Sequence, residues 1–331
     1  MNMLNPNIFS KIGDIEQIPT RKGFGEGLVI AAEHNENIYG LTADLKESTY
    51  MHLFADLFSN RFIEMGVSEQ NMASVASGLA ALSKIPVITS YAMFSPGRNW
   101  EQIRTTICYN DRKVIIVGSH AGVSVGPDGG SHQALEDIAL TRVIPNMTVI
   151  SPCVAIEARK AIISATGDKQ NTPVYIRLAR EKSPIITTEE TPFIIGKANI
   201  LYESKFSDGE NRKFNTLICS TGIITYNALL AAKELEEIHK QKVIVINFHT
   251  IKPLDIETLY KYVELSDKIV TVEEHQIAAG FGGAICEAIT DKYPKMVKRV
   301  GVQDKFGQSG TPIELMKHYN MDVSDIVKAA I

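Results

Sequence analysis

The amino-acid sequence predicts an α/β protein of two doubly wound domains, the first with a mostly parallel sheet and the second smaller. Apolar strand-like runs alternate with amphipathic helical segments over residues 20–182, which is typical of a parallel sheet covered by helices on both faces. The pattern breaks over residues 181–204, where proline, threonine and acid pairs precede a strand-like run. A second alternation begins at Asn215. We therefore predict domains at residues 1–190 and 191–331.

Apolar runs bounded by polar residues predict the strands of the first domain. In chain order these are IYGLTADL, RFIEMGV, PVITSYA, KVIIVGSHAG, MTVISP and TPVYIRLAR. Helical spacing of apolar residues predicts the helices TRKGFGEGLVIAAEHN, residues 70–82, RNWEQIRTTICY, HQALEDIALTRVI and AIEARKAIISAT. KVIIVGSHAG is almost wholly apolar, as expected for a strand buried on both faces.

The second domain follows the same pattern on a smaller scale. A polar turn, KFSDGENRK, is predicted before its first buried strand, NTLICSTG. Further strands are predicted in KVIVINFHTIKPLD and DKIVTVEEH, and helices follow each strand, one ending near Lys240 and another beginning at Gly282.

Composition excludes several classes of protein. The 331 residues are 44% hydrophobic and 22% charged, with a net charge of −4 and both signs interspersed, which argues against nucleic acid or an anionic membrane as a partner. No apolar run reaches the roughly 18–20 residues of a membrane span, and the N-terminal residues lack the apolar core of a secretory signal. We therefore expect a cytoplasmic protein. Its four cysteines lack metal or disulfide spacing and are predicted to be buried.

Glu69 stands between a short apolar run and a helix built of small residues, in MGVSEQNMASVASGLAALS. An acid at a helix N-terminus usually stabilises the helix, because the unpaired backbone N–H groups attract negative charge. The alternative is a catalytic carboxylate. The residues alone leave both interpretations open.

The segment SHAGVSVGPDGGSHQALED is the most loop-like stretch of the first domain. Its glycines allow the backbone to approach a ligand. Asp128 and His132 lie around a Gly-Gly turn, and His120 ends the preceding strand. Histidine is suited to proton transfer or to binding an anionic oxygen. The alternative is a loop held by local hydrogen bonds, whereas metal binding is disfavoured because no further ligands stand at metal-site spacing.

Other polar and aromatic residues follow the same strand ends, where ligands bind in parallel sheets. Arg177 and Arg180 close one strand and would form either surface salt bridges or, with a nearby histidine and serine, a phosphate clamp. Tyr91, Phe94 and Trp100 surround a strand-to-helix junction, as core residues or as a stacking surface for a flat ring.

The second domain offers weaker signals. GFGG at residues 280–283 lacks the remainder of a dinucleotide-binding fingerprint. For the adjacent Glu273, Glu274 and His275, we favour a solvated turn over a position facing the cleft between the domains.

Five segments together resemble transketolase: EMGVSEQNMASVASGLA, SYAMFSPGRNWEQIR, GPDGGSHQALEDIALTRVIPNM, VYIRLAR and ADLKEST. The resemblance covers nearly the whole chain and implies a thiamine-diphosphate-binding pyrimidine domain followed by a transketolase-type C-terminal domain. It implies transfer of a two-carbon ketol unit from a ketose phosphate to an aldose phosphate, as in the pentose phosphate pathway.

The resemblance also implies roles for individual residues. Glu69 would hydrogen-bond N1′ of the aminopyrimidine and activate the cofactor, and small residues behind it would allow close packing at a subunit interface. Phe94 would stack on the pyrimidine, with Tyr91 and Asp44 in the same cofactor pocket. His132 would assist proton transfer and, with Asp128, meet the donor's hydroxyls. The sugar phosphate would be held by Arg21, Ser48, His120 and Arg180.

The sequence lacks one family feature, the Gly-Asp-Gly motif and following Asn that bind the metal and diphosphate; IGDIEQ lacks the second glycine. The resemblance therefore implies half of a split enzyme, inactive until an N-terminal transketolase subunit supplies this motif with a Mg or Ca ion. No metal site is expected on this chain, and an α2β2 complex is expected. The alternatives are a β-type subunit of a 2-oxoacid dehydrogenase E1, a deoxyxylulose-phosphate synthase-like enzyme, and a non-enzymatic interaction protein.

Overall fold

The chain is described by a computed structural model over residues 4–10, 15–206 and 211–331. Its strands are β1 (Gln17–Pro19), β2 (Ile38–Thr42), β3 (Phe62–Glu64), β4 (Ile85–Tyr91), β5 (Ile115–Ser119), β6 (Thr148–Ile150), β7 (Val174–Arg177), β8 (Lys182–Pro184), β9 (Asn199–Glu203), β10 (Phe214–Ser220), β11 (Val243–Asn247), β12 (Thr250–Lys252), β13 (Ser266–Gln276) and β14 (Val297–Val302). Part of the polar turn predicted at KFSDGENRK lies outside the described residues, as does part of IGDIEQ.

The helices alternate with these strands. They are α1 (Thr20–His34), α2 (His52–Leu57), α3 (Glu69–Ala81), α4 (Trp100–Gln102, continued by a π-helix over Ile103–Cys108), α5 (Asp137–Arg142), α6 (Ala155–Thr166), α7 (Thr225–Glu237), α8 (Ile256–Glu264), α9 (Phe281–Thr290), α10 (Pro312–His318) and α11 (Val323–Ala330). None of the helices in the described ranges is long and apolar enough to cross a membrane.

Two mostly parallel sheets confirm the predicted α/β fold. The seven-stranded sheet has the order β12-β6-β7-β5-β4-β2-β3 and is parallel except for β12. The five-stranded sheet has the order β14-β13-β10-β11-β9 and is parallel except for β9. β12 follows β11 in the chain but pairs with β6 of the seven-stranded sheet. The second half of the chain therefore contributes an edge strand to the first sheet. The domain boundary near residue 190 stays a prediction.

The first sheet is covered on both faces, which explains its apolar strands. Every residue of β5 is buried. Helices α1 and α6 pack together on one face, where Phe24 and Leu28 join the core. Gly23 is required there, because a Cβ at this position would lie 2.0 Å from the backbone oxygen of Ala155. The glycines of the predicted first helix therefore permit close helix packing.

The helix predicted over HQALEDIALTRVI is shorter than expected. Only Asp137–Arg142 are helical, and the residues before them continue the preceding loop. The reason is the buried Gln133, whose Nε2 donates to the carbonyl oxygens of Val123 at 3.2 Å and Gln308 at 3.0 Å. These long-range hydrogen bonds hold the segment in place without helical backbone.

The interpretation of Glu273, Glu274 and His275 as a solvated turn is wrong. All three are buried in β13. Glu273 accepts hydrogen bonds from the backbone N–H groups of Phe281 and Gly282 at 2.6 and 2.8 Å, at the start of α9. Burial raises the pKa of Glu273 to about 7. Polar residues that normally favour solvent therefore serve here as buried caps.

His275 connects β13 of the five-stranded sheet to helix α5. Its Nε2 accepts from the backbone N–H of Ile138 at 3.2 Å, in the first turn of α5, and its Nδ1 donates to the backbone oxygen of Gln276 at 2.7 Å. Burial lowers the pKa of His275 to about 4. The imidazole is therefore neutral near pH 7, as a ring that both donates and accepts must be.

Candidate active site

The carboxyl ends of the parallel strands of the first sheet bring most of the predicted site residues to one edge. Tyr91 ends β4, His120 follows β5, Arg180 follows β7, and Glu69 begins the helix after β3. The loop from Val123 to His132 follows β5 and contacts Arg180 through Asp128. This is the edge at which α/β sheets bind ligands.

Glu69 is the first residue of α3, and its side chain is only 1% exposed. Its Oε2 accepts a hydrogen bond from Nη1 of Arg98 at 2.7 Å, and its backbone oxygen accepts from Nδ2 of Asn99 at 3.1 Å. A carboxylate that only stabilises a helix end is normally solvated, whereas this one is buried and paired with a guanidinium. Burial thus favours a functional carboxylate.

Sequence reasoning missed Arg98. Its guanidinium forms the ion pair with Glu69 and also lies 5.0 Å from the ring centroid of Phe94. The side chain of Arg98 is 46% exposed. The available signal was its place in the aromatic segment SYAMFSPGRNW, four residues after Phe94. Gly97 makes this turn possible, because a Cβ there would lie 1.9 Å from the backbone oxygen of Met93.

Four rings form a cluster that the guanidinium of Arg98 connects to Glu69. Tyr91 stacks on His120 with centroids 3.8 Å apart and lies parallel to Phe94 at 6.0 Å. His132 meets Phe94 edge-on at 5.6 Å. Tyr91 and Phe94 are half-buried, so ring surface remains accessible to a planar ligand. Trp100 takes no part, because it packs against the core and donates to the backbone oxygen of Leu140 at 2.7 Å.

His120 is buried in a left-handed backbone conformation, with φ of 56°. Its Nδ1 shares a hydrogen bond of 2.9 Å with Oγ of Ser119. Burial lowers the pKa of His120 to about 3, and the nearby Arg21 and Arg180 act in the same direction. The ring is therefore neutral at physiological pH and is available as a hydrogen-bond partner.

Arg21 and Arg180 lie close enough to His120 to lower its pKa. Arg21 donates from Nε to the backbone oxygen of Arg180 at 3.0 Å and from Nη1 to that of Ser48 at 2.6 Å. Ser48 therefore contacts Arg21 through its backbone carbonyl. Burial lowers the pKa of Arg21. Arg180 lies 3.7 Å from a carboxylate oxygen of Asp128, which brings the glycine-rich loop to the arginines.

Arg177 does not belong to this group. It is buried and donates from Nε to Oδ2 of Asp137 at 2.9 Å and from Nη2 to the backbone oxygen of Glu274 at 2.8 Å. Burial alone would lower the pKa of Arg177, but Asp137 and Glu274 outweigh it and raise the pKa. The salt-bridge alternative therefore holds for Arg177, inside the core rather than at the surface.

Asp44 stands apart from the other predicted site residues. It follows β2 at the same sheet edge and is exposed, and its backbone N–H donates to Oε1 of Glu64 at 2.8 Å. In the described part of the chain, no hydrogen bond or ion pair joins Asp44 to the rings or arginines. Its predicted place in the cofactor pocket stays a prediction.

Potential metal ligands and the cysteines remain to be placed. In the described ranges, no group of three or more His, Cys, Asp or Glu side chains could hold a metal ion. Cys108, Cys153 and Cys219 are buried as predicted, whereas Cys286 is half-buried, and all four are free thiols. Burial raises the pKa of the Cys108 thiol to about 12.

Comparison with known proteins identifies the family. Residues 16–185 match the pyrimidine-binding domain of transketolase, and residues 210–326 match the transketolase C-terminal domain. The chain therefore belongs to the transketolase family. Within the family it is of the C-terminal-section type, a pyrimidine-binding domain followed by a C-terminal domain.

Two relatives and one solved structure illustrate this. A putative transketolase C-terminal section of Methanocaldococcus jannaschii is 42% identical over 93% of this chain and 94% of its own length. The 6-deoxy-6-sulfo-D-fructose transketolase subunit SqwH of a Clostridium species is 33% identical over 96% and 94%. A structure described as "Split gene transketolase, inactive beta4 tetramer" has a TM-score of 0.84 at 38% identity, covering 95% of this chain and 97% of its own.

Proposed function

We propose that this chain is the C-terminal subunit of a two-chain, thiamine-diphosphate-dependent transketolase of the pentose phosphate pathway. It transfers a two-carbon ketol unit from a ketose phosphate to an aldose phosphate in the cytoplasm. One observation carries the proposal: a buried carboxylate, accessible aromatic rings and an arginine pair share one sheet edge, with Glu69 and Arg180 at its two ends.

The residues present fit an aminopyrimidine ring. Glu69 offers a buried carboxylate for N1′, and the rings of Phe94 and Tyr91 offer stacking surface. The chemistry that thiamine diphosphate supplies when bound is a nucleophilic carbon and an electron sink for cleaving the bond next to a ketone. The role of Glu69 is to hold the proton at N1′ that sets the state of the ring.

The remaining residues orient the sugar. The neutral His120 can donate one ring N–H to an anionic oxygen, while Arg21 and Arg180 supply the charge. His132 contacts the rings of Tyr91 and Phe94, where it can move a proton to or from a donor hydroxyl, and Asp128 contacts Arg180 from the same loop. The glycine-rich loop carries both His132 and Asp128. Gln133 holds this loop in place through hydrogen bonds to the backbone oxygens of Val123 and Gly126.

The diphosphate and its Mg or Ca ion are assigned to a second polypeptide, an N-terminal transketolase subunit. This proposal is supported by relatives that are themselves sections or subunits of transketolases and that this chain matches over 94% of their own length. We propose an α2β2 complex, in which this chain also contacts a second copy of itself. The similar split-gene structure is an assembly of the β chain without activity, as expected for one half of such an enzyme.

The test is reconstitution. The purified chain and an N-terminal-section polypeptide encoded in the same genome are assayed separately and mixed, with thiamine diphosphate and Mg²⁺, for transfer from xylulose 5-phosphate to ribose 5-phosphate. Only the mixture should turn over. Activity of this chain alone would refute the two-chain proposal, and a mixture that uses pyruvate but no phosphorylated ketose would move the chain to the 2-oxoacid dehydrogenase type.

A further inference from the structure

The arginine pair already carries its own counter-ions. Nη1 of Arg180 forms an ion pair with Oε1 of Glu181, and Nε lies 3.7 Å from Oδ2 of Asp128. The same Nη1 also donates to the backbone oxygen of Val125 at 3.3 Å. Arg180 is therefore engaged from three directions before any ligand arrives.

The charges of this region balance. Arg21 and Arg180 contribute two positive charges, Asp128 and Glu181 contribute two negative charges, and His120 is neutral at physiological pH. The Glu181 charge also acts on Arg21, whose protonated form it favours. An arriving phosphate thus meets a site that is close to neutral rather than doubly positive.

Glu181 is positioned to be displaced rather than to support the fold. Its side chain is 37% exposed and that of Arg180 is 28% exposed, so the pair is partly open to solvent and to an incoming anion. The buried pair of Arg177 and Asp137 shows the contrast, since it is closed on all sides. A partly exposed ion pair contributes little to stability, so its effect falls mainly on an anion that competes for the guanidinium.

We propose that Glu181 is a specificity-determining residue: its carboxylate competes for Arg180 with the terminal anionic group of the donor, and thereby reduces the margin by which the site prefers a phosphate dianion to a monoanionic or neutral terminus. The proposal rests on the proposed function only in assigning the anion to a sugar. The geometry itself concerns any oxyanion that binds between Arg21 and Arg180.

Binding of inorganic phosphate to the full chain tests this without cofactor or partner. The imidazole resonances are followed by NMR at pH 8 during titration with phosphate, a dianion, and with methanesulfonate, a monoanion. Removing the competing charge in Glu181→Gln should tighten phosphate binding about three- to tenfold, since a partly exposed charge contact contributes up to about fivefold and the ligand carries nearly two charges. Methanesulfonate binding, with one charge, should tighten only about two- to threefold.

Glu47→Gln is the matched control. Glu47 is an exposed acid beside Ser48, but it pairs with Lys46 at 3.4 Å instead of an arginine of the site. If phosphate binding tightens equally in both variants, the change in net charge alone accounts for the effect and the proposal is overturned. Unchanged or weaker phosphate binding in Glu181→Gln would overturn it as well, and so would the absence of phosphate binding to any form.

A second measurement separates this proposal from the proposed function. In the reconstituted complex, Glu181→Gln should lower KM for a phosphorylated donor about three- to tenfold and leave kcat and the KM for hydroxypyruvate unchanged. A complex without transketolase activity would refute the proposed function while the phosphate titration still decides the role of Glu181. A changed kcat with unchanged KM would show that Glu181 acts on the chemistry instead of on anion selection.

Discussion

Replacement of Glu69 by Gln removes one charge from a buried site and little else. Gln retains the size of the side chain and a carbonyl oxygen that accepts from Arg98, which lies 2.7 Å from the carboxylate. Hydrogen bonds to charged groups contribute about 1.5–3 kcal/mol; the guanidinium stays charged and only the acceptor becomes neutral, so the substitution weakens this contact by about 1 kcal/mol. Relief of the buried charge offsets part of that loss. The folded chain should therefore survive.

Catalysis should respond far more strongly than stability. If the carboxylate sets the proton at N1′ of the bound cofactor, its loss removes one general acid–base group, which typically costs about 100- to 10,000-fold in rate. The assay is exchange of the C2 proton of the cofactor with deuterium in the reconstituted complex, measured by quenched-flow NMR. The exchange rate and kcat should fall together.

Glu101→Gln serves as the control for Glu69→Gln. Glu101 is an exposed acid in the same aromatic segment, and its side chain interacts with Gln102 and Thr105 at the surface. It should leave both rates unchanged. If C2 exchange in Glu69→Gln stays within about twofold of the wild-type rate, Glu69 only stabilises the start of α3 and the catalytic assignment is refuted.

Three further predictions address the clamp, the junction between the sheets and the packing of glycines. Arg180→Ala should lower kcat/KM for a phosphorylated ketose about 10- to 150-fold, the value of one charge-assisted hydrogen bond, and leave hydroxypyruvate nearly unaffected; equal losses would assign Arg180 to the fold. His275 has a folded pKa of about 4 against about 6.5 when unfolded, so its stabilisation is complete above pH 6.5 and is lost as the pH falls toward 4. Relative to His275→Gln, the wild-type chain should thus lose up to about 3 kcal/mol over that range in urea unfolding, and parallel pH profiles would contradict this. Gly97→Ala should destabilise the chain by about 1–3 kcal/mol in thermal unfolding, because its Cβ meets the backbone of Met93, whereas Gly78→Ala, with open space around it in α3, should stabilise it by about 0.5–1 kcal/mol; similar melting shifts for both would contradict the packing argument.

The sequence predicts those features of the fold that depend on local pattern. Buried parallel strands such as β5 are continuous apolar runs, and helices such as α6 have regular apolar spacing, so both are visible without tertiary information. The position of the site is also predictable, because ligands in parallel α/β sheets bind at the edge where the carboxyl ends of the strands lie together.

What the sequence did not predict depends on contacts between distant residues. Glu273 and His275 look like solvated residues because charged and polar side chains are usually exposed, and only the start of α9 and the start of α5 make their burial favourable. The late start of α5 at Asp137 depends on a hydrogen bond from Gln133 to Gln308, which is 175 residues away.

The same limit applies within the site. Arg177 and Arg180 are indistinguishable by residue type, yet one lies inside β7 facing Asp137 and the other lies beyond the strand end. Arg98 carries no signal of its pairing with Glu69, because a salt bridge between residues on two different elements leaves no spacing pattern.

Cofactor binding by the separate and combined chains tests the central claim most directly. Thiamine diphosphate with Mg²⁺ is titrated by calorimetry into this chain, into the N-terminal-section polypeptide and into an equimolar mixture. The account predicts that only the mixture binds tightly, because Glu69 and the aromatic rings lie on this chain and the diphosphate and metal ligands are proposed to lie on the other. Equally tight binding to this chain alone would contradict the claim that the site is shared between two polypeptides.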